Sequence, residues 1–175
     1  MIVFEEDFRS ESIYDVAKKI ATAARTAPKA RGTDNMTIAV ATGDTLEAIA
    51  QDMHKYAEKH DVAFFARDAE NLRQSAAVVL IGSKVSCLGL NCGYCGFDTC
   101  AEKAKYNKVP CFFNANDMGI AVGSAVALAA DMRVDSRVMF SVGKMAMDMN
   151  LMPGCSMVLA IPLSVSGKSP FFDRK

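Results

Sequence analysis

A mixed α/β domain is what this sequence predicts, and three observations predict it. Short apolar runs of strand length alternate with longer segments that carry apolar residues at helical spacing. One of the short runs, 77–81, is continuously apolar, the pattern of a strand covered on both faces. The 175 residues, 51% of them hydrophobic, suffice for one well-buried domain and are thin for two.

Taken in order, the elements are these. Ser10 is placed to cap a helix over 11–25, where Ile13, Val16, Ala17, Ile20, Ala21 and Ala24 recur on one face; Pro28 ends it. A loop rich in turn residues and cations follows. A strand is expected over 36–41, then a helix over 45–59 entered through Gly43-Asp44. Residues 62–65 read as a short strand, 67–74 as a helix and 77–81 as the covered strand. A Gly- and Cys-rich loop occupies 82–97. Beyond it come a short basic helix over 99–107, a strand over 109–113, helices over 118–132 and 138–151, and a last strand over 157–163. No internal repeat, low-complexity tract or linker divides the chain. We read 1–175 as a single domain carrying a cysteine-rich insertion over 82–113.

Charge and composition narrow the function. Lys plus Arg equals Asp plus Glu, 20 each, so no basic field invites nucleic acid and no acidic tail is present. No apolar run approaches the ~20 residues of a membrane span. The first seven residues lack the basic and apolar regions of a signal peptide, so a cytoplasmic protein is expected. In a reducing compartment, clustered cysteines bind metal or do redox chemistry more often than they form structural disulfides.

The six cysteines are Cys87, Cys92, Cys95, Cys100, Cys111 and Cys155. Glycines 89, 93 and 96 let the backbone curl so that several thiolates converge, and they free amide N–H groups to face sulfur. Thiolates suit iron–sulfur clusters or zinc. Two ligand sets compete. Cys87-x4-Cys92-x2-Cys95 has the plant-type [2Fe–2S] spacing and needs a distant fourth cysteine. Cys92, Cys95, Cys100 and Cys111 form the other set, with Cys87 as a neighbour. A structural zinc site is the plain alternative, although zinc usually shows two Cys-x2-Cys knuckles and this chain has one. A redox thiol pair at Cys92 and Cys95 is a third option. Cys155 lies apart and reads as a small hydrophobe.

The stretch from Asn91 to Glu102, NCGYCGFDTCAE, is similar to a family of uncharacterised prokaryotic proteins described as containing a ferredoxin domain. The likeness continues through Pro110-Cys111, the segment 117–125 (DMGIAVGSA) and the segment 161–168 (IPLSVSGK). That resemblance implies Cys92, Cys95, Cys100 and Cys111 as the ligand set and leaves Cys87 outside it. A looser resemblance, carried by 24–30 with 36–41 and by 119–132 with Val134-Asp135-Ser136-Arg137, is to the FMN-dependent nitroreductase fold. It implies a three-layer α+β sandwich, a homodimer and an FMN site. The Arg-Arg-Ser flavin-phosphate motif of that fold is not evident near the N-terminus. Were FMN to bind, Arg25, Lys29 and Arg31 are the cations grouped to hold its phosphate; a solvated basic loop is the simpler account.

Other signals carry less. Ser166-Gly167-Lys168-Ser169 has the end of a P-loop, but Pro162 stands where the motif needs glycine. His54 and His60 are six apart and do not share a helix face as a metal pair. The methionines crowded over 139–157 read as core. Lys84, Lys103, Lys105 and Lys108 flank the cysteines; a solvated face explains them more simply than charge compensation of a cluster. Asp98 and Asp117 read as helix caps or orienting groups. The function expected is redox catalysis or electron transfer through an iron–sulfur cluster, with a redox protein or small-molecule acceptor as partner. The alternative is a zinc-stabilised binding protein without enzymatic activity.

Overall fold

A computed structural model describes residues 1–172. In chain order the elements are α1 (Glu5–Thr26), a turn of 3-10 helix (Ala30–Gly32), β1 (Met36–Thr42), α2 (Asp44–His60), α3 (Ala63–Arg73), β2 (Ala77–Ser83), α4 (Cys100–Lys103), α5 (Phe112–Asp131), β3 (Asp135–Ser136), α6 (Phe140–Asp148) and β4 (Met157–Ser164). The strands form one antiparallel sheet in the order β1-β2-β4-β3.

The alternation of side chains along each strand builds two cores from one sheet. Val78 and Leu80 on β2, with Val158 and Ala160 on β4, face α2, α3 and α6. Ala77, Val79 and Ile81, with Ile161 and Leu163, face α1 and α5. Every residue of β2 is buried, as its unbroken apolar run requires. Register follows from this arrangement: Leu80 lies opposite Ala39 and Ala160, and Val79 opposite Val40 and Ile161. A slip of one residue would exchange the two cores' side chains.

Pro162 sits within β4 without breaking the ladder. Ala160 exchanges hydrogen bonds with Met139, while Leu163 accepts from Ala76 on the other side. By alternation the missing N–H of Pro162 points between the Met139 bridge and β3, where no strand needs it.

The helical layers are tied by few polar contacts. Ser141 Oγ donates to Asp68 Oδ2 at 2.6 Å in the interior, joining α6 to α3, and Arg67 pairs with the same carboxylate at 2.8 Å. Ser124 Oγ on α5 donates to the Ala23 carbonyl of α1 at 3.0 Å. α6 approaches β4 so closely that a Cβ on Gly143 would lie 2.1 Å from the Val158 carbonyl oxygen.

Four local expectations are corrected. Residues 62–65 are not a strand: Val62 precedes α3, and Phe65, Ala69 and Leu72 form one helical stripe against α2. Residues 109–113 are not a strand either. Cys111 caps α5, and the stripe Met118, Ala121, Val122, Ala125, Ala129 runs on from its first turns. Apolar runs of four or five residues do not distinguish strand from buried helix by period. The basic helix expected over 99–107 is a single turn, α4. At the N-terminus, α1 starts before Ser10, with Glu5, Glu6 and Asp7 favourably placed at its positive end.

Two outcomes are expected. Gly143→Ala forces α6 off β4 and should cost about 1–3 kcal/mol or more, read as a lower urea midpoint at unchanged slope. On the surface, hydrogen bonds from Arg73 and then Gln51 lower the Glu47 carboxyl from 4.5 to about 2. A depressed carboxylate stabilises the fold fully above its unfolded value, and that contribution disappears as pH falls from about 4.5 toward 2. Glu47→Gln should therefore flatten the acid limb of the stability–pH curve and leave its slope near neutrality unchanged.

Candidate metal centre

The segment between β2 and α4 has no regular structure, and side chains rather than a backbone ladder hold it in place. At its start, the Lys84 amide donates to the Asn35 carbonyl at 3.1 Å, and the Ser86 amide to Asn114 Oδ1 at 3.0 Å. Arg31 reaches across from the 3-10 turn and donates to the Leu88 carbonyl at 2.6 Å. Asn91 closes the other end: its Oδ1 accepts from the Cys100 amide at 2.8 Å, and its own amide donates to Cys100 Sγ at 3.4 Å. Thr99 then caps α4, its Oγ1 accepting from the Glu102 amide. Gly93 and Gly96 take φ of 73° and 85°, and the Gly96 amide bonds back to the Gly93 carbonyl. A side chain at either position would strain the turn that separates Cys92 from Cys95.

The result is one small, partly enclosed pocket. Cys87, Cys92, Cys95, Cys100 and Cys111 all line it. So do apolar side chains, among them Leu88, Phe97 and Phe113. Cys111 is 5% exposed and sits at the positive end of the 20-residue helix α5. All six cysteines are free thiols. Cys155 is outside the cavity and packs against Gly82 of β2. Among the described residues, no three His, Cys, Asp or Glu side chains converge as ligands of a metal ion.

Lys103 forms part of the same wall and is 1% exposed. Among the described residues its Nζ has no hydrogen-bond or ion-pair partner. The solvated-face reading therefore holds for Lys84, Lys105 and Lys108, which are exposed, and fails for Lys103. Cys100 and Lys103 are three apart, and one helical turn brings both to the same side. The amide Nδ2 of Asn114, a residue 1% exposed and three beyond Cys111, also lacks a partner. A cationic side chain thus shares the wall with the thiols. This donor set suits an anionic, thiolate-ligated group.

The cations of the 25–31 loop are not gathered around a site. Arg25 Nη1 donates to Asp34 Oδ2 at 2.5 Å and to the Met36 carbonyl. Lys29 Nζ donates to the carbonyls of Ala24, Arg25 and Ala27, closing the end of α1. Arg31 holds Leu88. Asp117 neither caps a helix nor meets the cysteines; its Oδ2 accepts from the Ala30 amide at 3.1 Å and pins this loop to α5. His54 pairs with Glu70 at 2.7 Å, and so is engaged on the surface. The roles of Asn91, Asn114 and Arg31 in shaping the loop are long-range and carry no motif; only the Asn beside Cys92 was visible within a recognisable pattern.

An uncharacterised protein of Archaeoglobus fulgidus is 40% identical over 182 residues, spanning 99% of this chain and 98% of its own. Residues 107–174 match the model of a family described as uncharacterised proteins containing a ferredoxin domain. The chain belongs to this family. Of the five clustered cysteines, the matched region contains Cys111 alone. Solved structures similar to the chain include a BluB-like flavoprotein from Clostridium difficile 630, with a TM-score of 0.59, 16% identity and coverage of 88% of this chain and 81% of that one. An FMN-dependent nitroreductase from Mycobacterium smegmatis, solved with NADPH, gives 0.60 at 12% identity, covering 88% and 78%. A nitroreductase family protein from Clostridium novyi NT gives 0.58 at 16%, covering 86% and 73%. These likenesses establish the fold: a nitroreductase-type sandwich, here in a ferredoxin-domain family.

Asn91→Ala should free the Cys100 end of the loop without unfolding the sheet. Hydrogen exchange at the Cys100 amide is expected to speed up while the β2 amides keep their protection; equal loss in both would mean that Asn91 supports the whole fold.

Proposed function

We propose that this protein is an iron–sulfur redox protein whose cluster is held by the thiolates of Cys92, Cys95, Cys100 and Cys111. The observation that carries this reading is the shared wall: five thiols and a buried, unpartnered lysine line one cavity. The ferredoxin-domain family supports it. A bound cluster supplies one-electron chemistry at a potential tuned by its surroundings. The chain's own residues do the rest. Asn91 presents its amide to Cys100 Sγ, and the turn at Gly93 and Gly96 orients the two central cysteines. Leu88, Phe97 and Phe113 keep the interior apolar. The insertion over 82–113 is the redox element of a single domain, and Cys87 is a fifth thiol outside the ligand set.

A lone zinc ion pulls four sulfurs to about 2.3 Å from one centre. Zinc sites usually show two Cys-x2-Cys knuckles and this chain has one, which favours a cluster. Zinc as a structural staple is the competing outcome, and would leave a protein without enzymatic activity.

FMN is a second cofactor that the fold favours, since flavoproteins share it. The phosphate site expected at Arg25, Lys29 and Arg31 does not fit as it stands, because each cation already donates to the protein itself. The electron acceptor is a redox protein or a small molecule. The outward side of α5, where Gly119, Ile120 and Gly123 are exposed and uncharged, is compatible with a homodimer. No helix among the described residues is long and apolar enough to cross a membrane.

Iron and acid-labile sulfide in comparable amounts, with a brown visible spectrum after anaerobic purification, are the expected result. Zinc without sulfide or colour would overturn the cluster, and a flavin band would add FMN. Serine at Cys92, Cys95, Cys100 or Cys111 should each abolish iron retention, whereas Cys87→Ser should keep it. Retention in C111S with loss in C87S would move the ligand set to the plant-type spacing.

A further inference from the structure

We infer that Lys103 is the internal counter-cation of the metal centre, holding its ammonium against the thiolate-ligated group and raising that group's reduction potential. The inference rests on the iron–sulfur reading above and deepens it. Three independent features lead to it. Lys103 is 1% exposed, among the most deeply buried large side chains of the protein. Its Nζ has no acceptor among the described residues, although lysine is almost never buried unpaired. The wall on which it lies is formed by five thiols, Asn91 and apolar side chains, with no carboxylate among them.

An unpaired cation on an apolar wall is costly, and the interior supplies no anion to offset it. Thiolates do supply one. A centre ligated by four cysteines gathers negative charge, and a positive charge buried beside it favours the more negative, reduced state. Low local dielectric makes that effect larger than any exposed lysine could exert. The placement is set by sequence: Cys100 and Lys103 occupy the first and last positions of the single turn α4, so the residue that binds the centre and the residue that balances it share one backbone unit. Lys105 and Lys108 belong to the exposed stretch that follows and do not substitute for it.

The test compares Lys103→Met, which keeps length and removes charge, with Lys103→Arg, which keeps charge. Each is purified anaerobically and assayed for iron and sulfide, then titrated against mediators of known potential. In loaded K103M, the ratio of reduced to oxidised centre at a fixed poise should fall at least tenfold, equivalent to 59 mV for one electron. K103R should stay within threefold of the parent. Failure of K103M to take up a cluster that K103R accepts would support the same role at the stage of assembly. The apo protein gives a readout independent of loading: with the unpaired charge removed, apo K103M should unfold at higher urea than the apo parent. Equal potentials in parent and K103M would overturn the inference, as would equal shifts in both variants, loss of the cluster in both, or a less stable apo K103M. A parent protein holding neither iron nor sulfide would instead overturn the iron–sulfur reading itself, and this inference with it.

Discussion

Burial of the central sheet on both faces is the constraint from which the rest of the architecture follows. β2 exposes none of its residues, so each of its two faces must be closed by helices, and neither helical layer can be dispensed with. The strand's alternation assigns Val78 and Leu80 to one layer and Ala77, Val79 and Ile81 to the other. That assignment locks the register against β1 and β4. Because the sheet is antiparallel, the C-terminal end of β2 comes out beside Asn35 and the start of β1, and the cysteine loop begins there.

The loop itself has little hydrophobic content to fold it, and depends on the rigid body for its shape. Arg31, Asn114 and the Asn35 carbonyl hold its first half; Asn91 and Thr99 fasten its second half to α4. Cys111 belongs to another element altogether, the start of α5, whose long apolar stripe packs on the sheet. Cys87, Cys92 and Cys95 thus ride on a tethered loop, Cys100 opens α4 and Cys111 caps α5. The loop anchors are spread over α1's following turn and α5, so the shape of the cavity is coupled to the layer formed by those two helices rather than to α2, α3 and α6.

Electrostatics separates the cysteine cavity from the remaining surface. The exposed ion pairs, such as Lys55 with Asp52 and Lys144 with Asp148, are short-range, water-screened contacts of the kind worth little to stability. Inside, the one buried carboxylate of α3, Asp68, is fully engaged by Ser141 and Arg67. Among the described residues, the Asn114 amide and the Ser169 hydroxyl are buried without partners, and Lys103, itself 1% exposed, lies on the wall with the thiols.

Long periodic features were legible from residues alone. The stripe of α1, the run of β2, the Ala-rich α5 and β4 each follow a repeat that burial imposes over many positions. The cysteine spacing was equally legible as a metal motif, because its glycines and thiols are neighbours in sequence. Runs of four or five apolar residues were not: 62–65 and 109–113 lead into helices, where Phe65 packs on Tyr56 and Phe113 on Tyr94. Sequence by itself determined that this protein has a layered α/β body and a thiol-rich loop, since periodicity and local spacing are properties of adjacent residues. Only the tertiary structure decided that the cations of the 25–31 loop are bound to the protein itself, and that one lysine of four is withdrawn from water. Those outcomes depend on which distant surfaces meet, and no local pattern encodes that.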